Sequence, residues 1–282
     1  MTNNITFFLN PLSHNKKGQK NWQYIQSDNF KKIILQDYEN AISLIQNETK
    51  ETAVAVGGDG TINLVLNGII NNHKKMGVLY SGTSPDFCKF HKIPLNPKQA
   101  LLRIQNGQSV FVDILKIKTD TDTSFAASSC NIGLGAITAE KANFLRKFTG
   151  DKLGTFFAVI YALFKTKPFD ACLKIDNKTV CYTQIKHLVV FKNPYIASGL
   201  FFNLPIQEDD GYLYTIVLQK NIVKTLWELY THKKPSSCIA IKGKEVYIHT
   251  TPHHSIEFDG DSYPITTPIT ISCEQRKLEL IR

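Results

Sequence analysis

The residues in this chain that can do chemistry are mostly aspartates standing beside glycines. In Val54-Ala55-Val56-Gly57-Gly58-Asp59-Gly60-Thr61-Ile62-Asn63, an apolar strand runs into three glycines and then directly into a helical stripe. That stripe sets Ile62, Val65, Leu66 and Ile69 at i, i+3, i+4 and i+7. Glycines let a backbone come close to a ligand, and a helix start offers unpaired N–H groups and partial positive charge to an anion. Asp59 stands among them, where a carboxylate can hold Mg2+ against phosphates. Two further loops share this polar character: Asn10-Pro11-Leu12-Ser13-His14-Asn15-Lys16-Lys17-Gly18 and Ser81-Gly82-Thr83-Ser84-Pro85-Asp86-Phe87. The glycine run is neither G-x-G-x-x-G nor G-x-x-x-x-G-K-[ST], so those two phosphate-binding mechanisms are not supported. From the residues alone it reads as a phosphate loop or as an ordinary tight turn, and both stay open. Asp210-Gly211 and Asp259-Gly260-Asp261 are ambiguous in the same way, because their composition is that of hairpin turns.

The elements that must position these loops alternate. Ile5–Leu9, Ile33–Leu35, Ala53–Val56 and Gly77–Tyr80 read as short buried strands. Between and after them, Tyr38–Gln46, Thr61–Ile70 and a segment capped by Asn96-Pro97 and running through Ile104 read as helices. Strand–helix alternation predicts a parallel α/β sheet, and ligands of such sheets bind outside the carboxyl ends of the strands, where the three polar loops converge. From about Val110 the texture changes. Val110–Lys118 alternates, Ser124–Leu134 is β-prone, and one helical segment, Lys141–Lys165, follows. Short β-like runs then recur at Leu173–Ile175, Ile185–Phe191, Leu213–Leu218, Val246–His249, Ile256–Phe258 and Ile269–Cys273, as in an antiparallel sandwich. The predicted class is α/β: an N-terminal three-layer α/β domain with a parallel sheet over residues 1–120, then a C-terminal β-sandwich-like domain over 121–282. The last residues have the option of returning to the first domain.

Composition narrows the partners. The 282 residues carry 33 Lys+Arg against 24 Asp+Glu, a net charge of +9 that favours an anionic partner. The lysine pairs Lys16-Lys17, Lys31-Lys32, Lys74-Lys75 and Lys233-Lys234 are dispersed and lack interleaved aromatics, which argues against nucleic acid. With 43% hydrophobic and 20% charged residues the chain is not disordered. Its mean hydropathy of −0.16 argues against an integral membrane protein. The most apolar stretch, Gly154–Phe164, is far shorter than the roughly 20 residues of a spanning helix. Its aromatic stripe of Phe156, Phe157, Ile160, Tyr161 and Phe164 is expected in the core rather than facing lipid. The six cysteines are scattered, which predicts neither a zinc site nor a disulfide framework and suits a reducing cytoplasm. His253-His254 is not expected to be a ligand pair, since adjacent strand residues point to opposite faces.

The run GGDGTIN, followed by Gly82-Thr83-x-x-Asp86-Phe87, Ile93-Pro94 and Val112-Asp113, resembles the diacylglycerol kinase catalytic domain. This is the family of bacterial lipid kinases, sphingosine kinases and ceramide kinases. The resemblance continues in order through Asn131-Ile132-Gly133-Leu134-Gly135-Ala136, Lys152-Leu153-Gly154, Asp209-Asp210-Gly211-Tyr212-Leu213 and Asp259-Gly260-Asp261, nearly the whole chain. It implies transfer of the ATP γ-phosphate to a lipid hydroxyl, with ATP and Mg2+ as cofactors. It also implies roles. Asn10, Ser13, Gly57, Gly58, Gly60, Thr61, Asn63, Gly82 and Thr83 would form the nucleotide site, with Asp59 and Asp86 as an acidic pair near Mg2+ and the γ-phosphate. Gln207, Asp210 and Tyr212 fall where bacterial members hold a structural Mg2+, the outer two through backbone carbonyls. Asp259 and Asp261 fall in the D-G-E motif to which the proton-acceptor role is assigned. The implied partners are ATP and a lipid at a membrane surface, met by a cytoplasmic protein in peripheral association; nucleic acid is not among them, and a homodimer is left open.

Four positions depart from the family pattern. His14 stands for Gly, Leu64 for the Glu after GGDGTIN, Pro85 for the Asn of N-D-F, and Asp261 for Glu. A displacement of about 1 Å at a reacting centre can cost on the order of 100-fold in rate, so a catalytically degenerate nucleotide- or lipid-binding relative is an alternative. An NAD kinase, which shares GGDGT, is another; the Gly82-Thr83-x-x-Asp86-Phe87 loop argues against it.

Overall fold

Short apolar runs at the start of the chain become parallel strands, the central ones buried on both faces, whereas the edge strand Lys31–Ile34, expected to be buried, is largely exposed. The structure, a computed structural model, describes residues 4–11, 19–25, 30–36, 38–196, 200–218, 224, 228, 231 and 238–282. The chain divides into two units, residues 1–114 with 275–282, and residues 115–274. In the first, β1 (Ile5–Leu9), β2 (Lys31–Ile34), β3 (Thr52–Gly57) and β4 (Lys75–Tyr80) lie in the order β2-β1-β3-β4, all parallel. The end of the chain adds another parallel partner, with Glu279 beside Lys75 and Leu280 beside Met76. Every residue of β1 and β3 is buried, which explains why these strands read as continuous rather than alternating apolar runs.

Helices α1 (Gln19–Trp22), α2 (Tyr38–Gln46), α3 (Asp59–Ile69), α4 (Asp86–Phe90) and α5 (Pro97–Asn106) connect these strands. One face of the sheet, with Phe7, Leu9, Val54, Val56 and Leu79, packs against Ala100 and Ile104 of α5 and against Ile25 and Phe30. The start of α5 is fixed by Asn96, whose Oδ1 accepts from the amides of Lys98 (3.0 Å) and Gln99 (3.3 Å), and Gly107 ends the helix in the left-handed region.

The second unit is built from two antiparallel layers. Its chain order is β5 (Ser109–Lys118, which crosses from the first unit), β6 (Thr123–Ala126), β7 (Ser129–Gly133), α6 (Leu134–Thr149), α7 (Asp151–Lys165), β8 (Phe169–Ile175), β9 (Lys178–Ile185) and β10 (His187–Phe191). Then come β11 (Tyr195–Ile196), β12 (Leu200–Phe201), β13 (Leu213–Leu218), β14 (Cys238–Gly243), β15 (Glu245–Thr251), β16 (Ser255–Phe258), β17 (Asp261–Thr266) and β18 (Ile269–Ile281). One layer runs β9-β8-β15-β18, with β5 alongside β18 and β6; the other runs β14-β13-β10-β7-β16-β17. Their inner faces share one core, with Phe169, Leu173, Val246, Ile248 and Ile271 from the first layer and Ile132, Leu188, Val190, Val217 and Phe258 from the second. β8 alternates buried and exposed along its full length, as a strand with one solvated face must. The class is therefore the expected one, a parallel α/β layer and an antiparallel sandwich.

Three more expectations are corrected. The helical segment Lys141–Lys165 is two helices, because Gly150 adopts φ 78° and breaks the run in a conformation that side-chain-bearing residues avoid. The aromatic stripe of α7 is not its buried face: Phe157 and Tyr161 are exposed and Phe164 is 86% exposed, whereas Ala158 and Ala162 are buried. Small residues four apart form the packed face, where Ala162 meets Leu134 of α6. The cysteines are not all free thiols, since Cys172 on β8 and Cys181 on β9 stand opposite each other, 4.1 Å between Cα atoms, and form a disulfide. A separation of nine residues carries no sign of strand register, so spacing missed the pair. His253 and His254 lie in the turn after β15, the latter against the Phe169 ring at 4.2 Å. Among the described residues no helix is long and apolar enough to cross a membrane.

Candidate functional site

The strand order places a switch point between β1 and β3: the chain leaves β1 toward β2 on one side, and β3 lies on the other. Crevices for ligands form at the carboxyl ends of strands at such points. The ladder carries on past the strand ends, with Asn10 N donating to Val56 O at 3.1 Å and Ser81 N to Gly57 O at 2.8 Å, so three loops leave from neighbouring positions. Asn10 Nδ2 then reaches Thr61 Oγ1 at 3.2 Å and ties the first loop to α3. The two glycine loops meet backbone to backbone. A Cβ on Gly82 would stand 2.6 Å from the Gly58 Cα and 2.5 Å from the Tyr80 hydroxyl, so no side chain fits there.

Asp59 occupies the first turn of α3 and accepts a hydrogen bond from the Tyr80 hydroxyl at 3.2 Å. Asp86, buried at the start of α4, accepts from Ser84 Oγ at 2.7 Å. Burial first, and then the charge of Asp59, pushes both the Tyr80 hydroxyl and the Cys88 thiol well above their ordinary values; Asp86 adds to the effect on Tyr80. Tyr80 is therefore a neutral donor beside two carboxylates. A helix start with close-approach glycines suits phosphate oxygens, and an acidic pair suits a divalent cation. Together they match a metal-bound polyphosphate.

The other expected nucleotide residues contribute differently from one another. Thr61 and Asn63 are buried, Thr61 receiving Asn10 and Asn63 receiving the Asn67 side chain, so their side chains hold loop and helix together. Gly57 ends β3, Gly60 lies in the first turn of α3, and Thr83 lies between β4 and α4. Ser13 and His14 lie outside the described residues. Leu64 is buried, so the apolar side chain at this departure suits its surroundings. Pro85 precedes α4 and brings no N–H beside Asp86. Asp113 is a clamp: its Oδ1 accepts from Arg276 N at 2.8 Å, fastening the returning chain end to β5. A cavity of about 590 Å3 in the first unit is lined by Lys92, Arg103, Gln108, Ser109, Val110 and Arg282, none of them in the glycine loops.

In the second unit, Asp259 braces a turn. Its Oδ1 accepts from the amides of Ser128 (2.8 Å) and Ser129 (3.1 Å), and its Oδ2 from the Ala127 amide. With both oxygens directed at backbone N–H groups, Asp259 is arranged to hold the β6–β7 turn rather than to receive a proton. Asp261 opens β17; its side chain lies outside what is described.

The set Gln207, Asp210 and Tyr212 does not fit a bound Mg2+. Asp210 pairs with the ammonium of Lys192, a residue 1% exposed, and accepts from Tyr212 N at 3.1 Å and the Tyr214 hydroxyl at 3.0 Å. Lys242 Nζ stands 3.7 Å from its other oxygen. Burial would raise the Asp210 carboxyl, but the Lys192 hydrogen bond and charge, with the Tyr212 amide and Tyr214 hydroxyl, hold it below the usual range. Mg2+ requires near-octahedral oxygen ligation. Two like unit charges about 4 Å apart repel by about 4 kcal/mol at an effective dielectric near 20, and a divalent ion would meet two ammonium groups here. Lys242 Nζ also lies 4.0 Å from the Tyr212 ring centroid, which keeps this second cation at the turn. Among the described residues no group of three or more His, Cys, Asp or Glu is placed to hold a metal. Sequence reading missed Tyr80 and Lys192. The only available signals were a tyrosine ending an apolar strand before Ser81-Gly82 and a lysine directly after the buried run His187–Phe191.

Residues 4–117 match the family described as the diacylglycerol kinase catalytic domain. The match covers less than half of the chain. It bears out the resemblance read from GGDGTIN and its companion motifs. At 26% identity over 236 residues, 80% of this chain and 75% of the relative, it is similar to a Staphylococcus aureus protein (strain bovine RF122) provisionally named a lipid kinase. A protein of strain Newman with the same provisional name is 25% identical over the same shares. The fold is that of two solved Bacillus anthracis (strain Sterne) structures. One, provisionally described as a diacylglycerol kinase, has TM-score 0.81 at 19% identity and covers 99% of this chain and 97% of that chain. The other, described as a diacylglycerol kinase, has TM-score 0.73 at 16% identity, with 99% and 96% covered. The family match supports a kinase-type function.

Proposed function

We propose that this chain transfers the γ-phosphate of Mg·ATP to a lipid hydroxyl. The observation that carries the reading is the apposition of Gly58 and Gly82 at the start of α3, with Asp59 and Asp86 beside the neutral Tyr80 hydroxyl. Backbone N–H groups of the first turn of α3 hold phosphate oxygens. Asp59 and Asp86 would hold the Mg2+ that accompanies ATP, which when bound would neutralise phosphoryl charge. Tyr80 keeps its proton and orients Asp59. The acceptor oxygen bonds to the γ-phosphorus as the bond to the β,γ-bridging oxygen breaks, ADP departs, and the hydroxyl proton passes to a carboxylate.

A lipid acceptor is supported by the names of the S. aureus relatives and by the exposed ridge of α6 and α7. Phe144, Phe148, Leu153 and Phe164 present large apolar surfaces there, and Lys141 and Lys165 stand 5.1 Å and 6.0 Å from the Tyr161 ring. Aromatics mixed with lysines suit the interface of an anionic bilayer in peripheral association. The test is labelled ATP with mixed-lipid vesicles: wild type yields labelled phospholipid, and Asp59→Ala lowers the rate by about 1,000-fold or more, as loss of a charge-stabilising group does. Equal labelling by Asp59→Ala sinks the assignment. Pro85 favours a second reading, a binder without turnover, which calorimetric ATP binding with no product from any lipid would select.

A further inference from the structure

Lys192 is a buried lysine with a specific job. It follows β10, which pairs antiparallel with β13 so that Phe191 stands opposite Tyr214, and Tyr214 stands opposite Lys242 of β14. Three neighbouring strands thus bring Lys192, Tyr214 and Lys242 around the turn at Asp210-Gly211. Asp210 accepts from the Lys192 ammonium and from Tyr212 N, and the Tyr214 hydroxyl lies 3.0 Å from both Asp210 Oδ2 and Pro205 O. The segment from Pro205 to Tyr212 is held at one end by the Tyr214 hydroxyl on the Pro205 carbonyl and at the other by the Asp210 carboxylate on the Tyr212 amide. An ammonium removed from water must be paired, and a carboxylate at the centre of a turn must be neutralised. Each satisfies the other here.

A divalent ion in a loop does the same two things, neutralising a carboxylate and cross-linking the backbone around it. The geometry points to Lys192 as the resident cation of this turn, carried by the chain itself in place of the divalent ion implied by resemblance at Gln207, Asp210 and Tyr212. The second unit then keeps its fold without metal. This inference is independent of the kinase reading, because the experiment below reads no activity.

The full chain, free of nucleotide, is titrated with Mn2+ and followed by electron paramagnetic resonance, and its thermal unfolding is compared in EDTA and in MgCl2, for wild type and Asp210→Asn. The expected result is equal Mn2+ binding by both proteins and no effect of EDTA that depends on Asp210. An ion present at about 100 times its Kd would raise the midpoint by roughly 5–10 °C. Mn2+ binding that disappears in Asp210→Asn, or an EDTA-induced fall that Asp210→Asn lacks, overturns the inference. Lys192→Met is expected to lower the midpoint and to gain Mn2+ binding that Lys192→Met/Asp210→Asn lacks. A folded Lys192→Met protein that gains none overturns the exchange of cations; if that variant does not fold, the comparison of wild type with Asp210→Asn decides.

Discussion

Asp59 in the first unit and Asp259 in the second are each followed by glycine, yet the two carboxylates have opposite surroundings. Asp59 begins an 11-residue helix, half-buried, with a tyrosine hydroxyl 3.2 Å away and the Gly58–Gly82 approach beside it. Asp259 is buried and accepts three backbone amides of the β6–β7 turn. Asp210, also followed by glycine, belongs with Asp259, because its oxygens are taken by Lys192, Tyr212 and Tyr214. An Asp-Gly pair is first a way to turn a chain. Whether its carboxylate serves chemistry depends on which backbone amides the fold brings to it: where three converge, the group becomes a brace.

The sharpest way to break this comparison is to truncate both carboxylates. Asp259→Ala leaves two buried amides and one partly buried amide without their acceptor and is expected to cost about 3–5 kcal/mol, against about 1 kcal/mol or less for Asp59→Ala, read from urea unfolding. Comparable losses would put the two aspartates in one class.

Acid should separate the units next. Burial holds the His187 imidazole at about 4, below its ordinary 6.5, and its Nδ1 lies 3.1 Å from the Ile132 carbonyl. The unfolded chain takes up that proton first, so the stability is complete above pH 6.5 and is lost as pH falls toward 4, a loss on the order of 3 kcal/mol. In the first unit Glu48 is held at about 2 rather than 4.5, because Lys31 at 2.8 Å and the amides of Thr49 and Lys50 outweigh the burial that would raise it. Its contribution is intact above pH 4.5 and disappears only between 4.5 and 2. The urea midpoint should therefore fall between pH 6.5 and 4 in wild type and flatten in His187→Asn. An unchanged slope in that variant would remove His187 as the cause.

A smaller effect on stability than that of Asp259→Ala is expected at the glycine contact. Gly82→Ala pushes a methyl group into the Gly58 backbone and should cost about 1–3 kcal/mol by overpacking. The same variant should weaken ATP binding by calorimetry more than Asp259→Ala does. The reverse order would move nucleotide binding away from the first unit's loops.

Much of this was legible before folding. The strand ends at Leu9, Gly57 and Tyr80 and the cap at Asn96 follow from local apolar runs and from residues that bond their own neighbours. The apposition of Gly58 and Gly82 was half legible: three loops at one sheet edge were expected, but the distance between two backbones was not. The second unit was harder to read. Strand periods marked where chain runs straight but carried no register, so Cys172 opposite Cys181 and Lys192 beside Asp210 left no trace. The aromatics of α7 misled for a related reason: helical spacing marks one face, and the alanines on another face proved to be the packed ones.

By itself, then, the sequence marked the strand–helix alternation of the first unit, its glycine turns and several of the sandwich strands, because each shows in patterns within a few residues. Only the tertiary structure decided which acidic groups are braces and which stand beside a helix start. The partners of Asp210 include a residue 18 positions away, and those of Asp259 lie 130 to 132 positions away. Contacts at that range depend on strand pairing, whose side-chain period of two repeats identically at every register and so cannot name a partner.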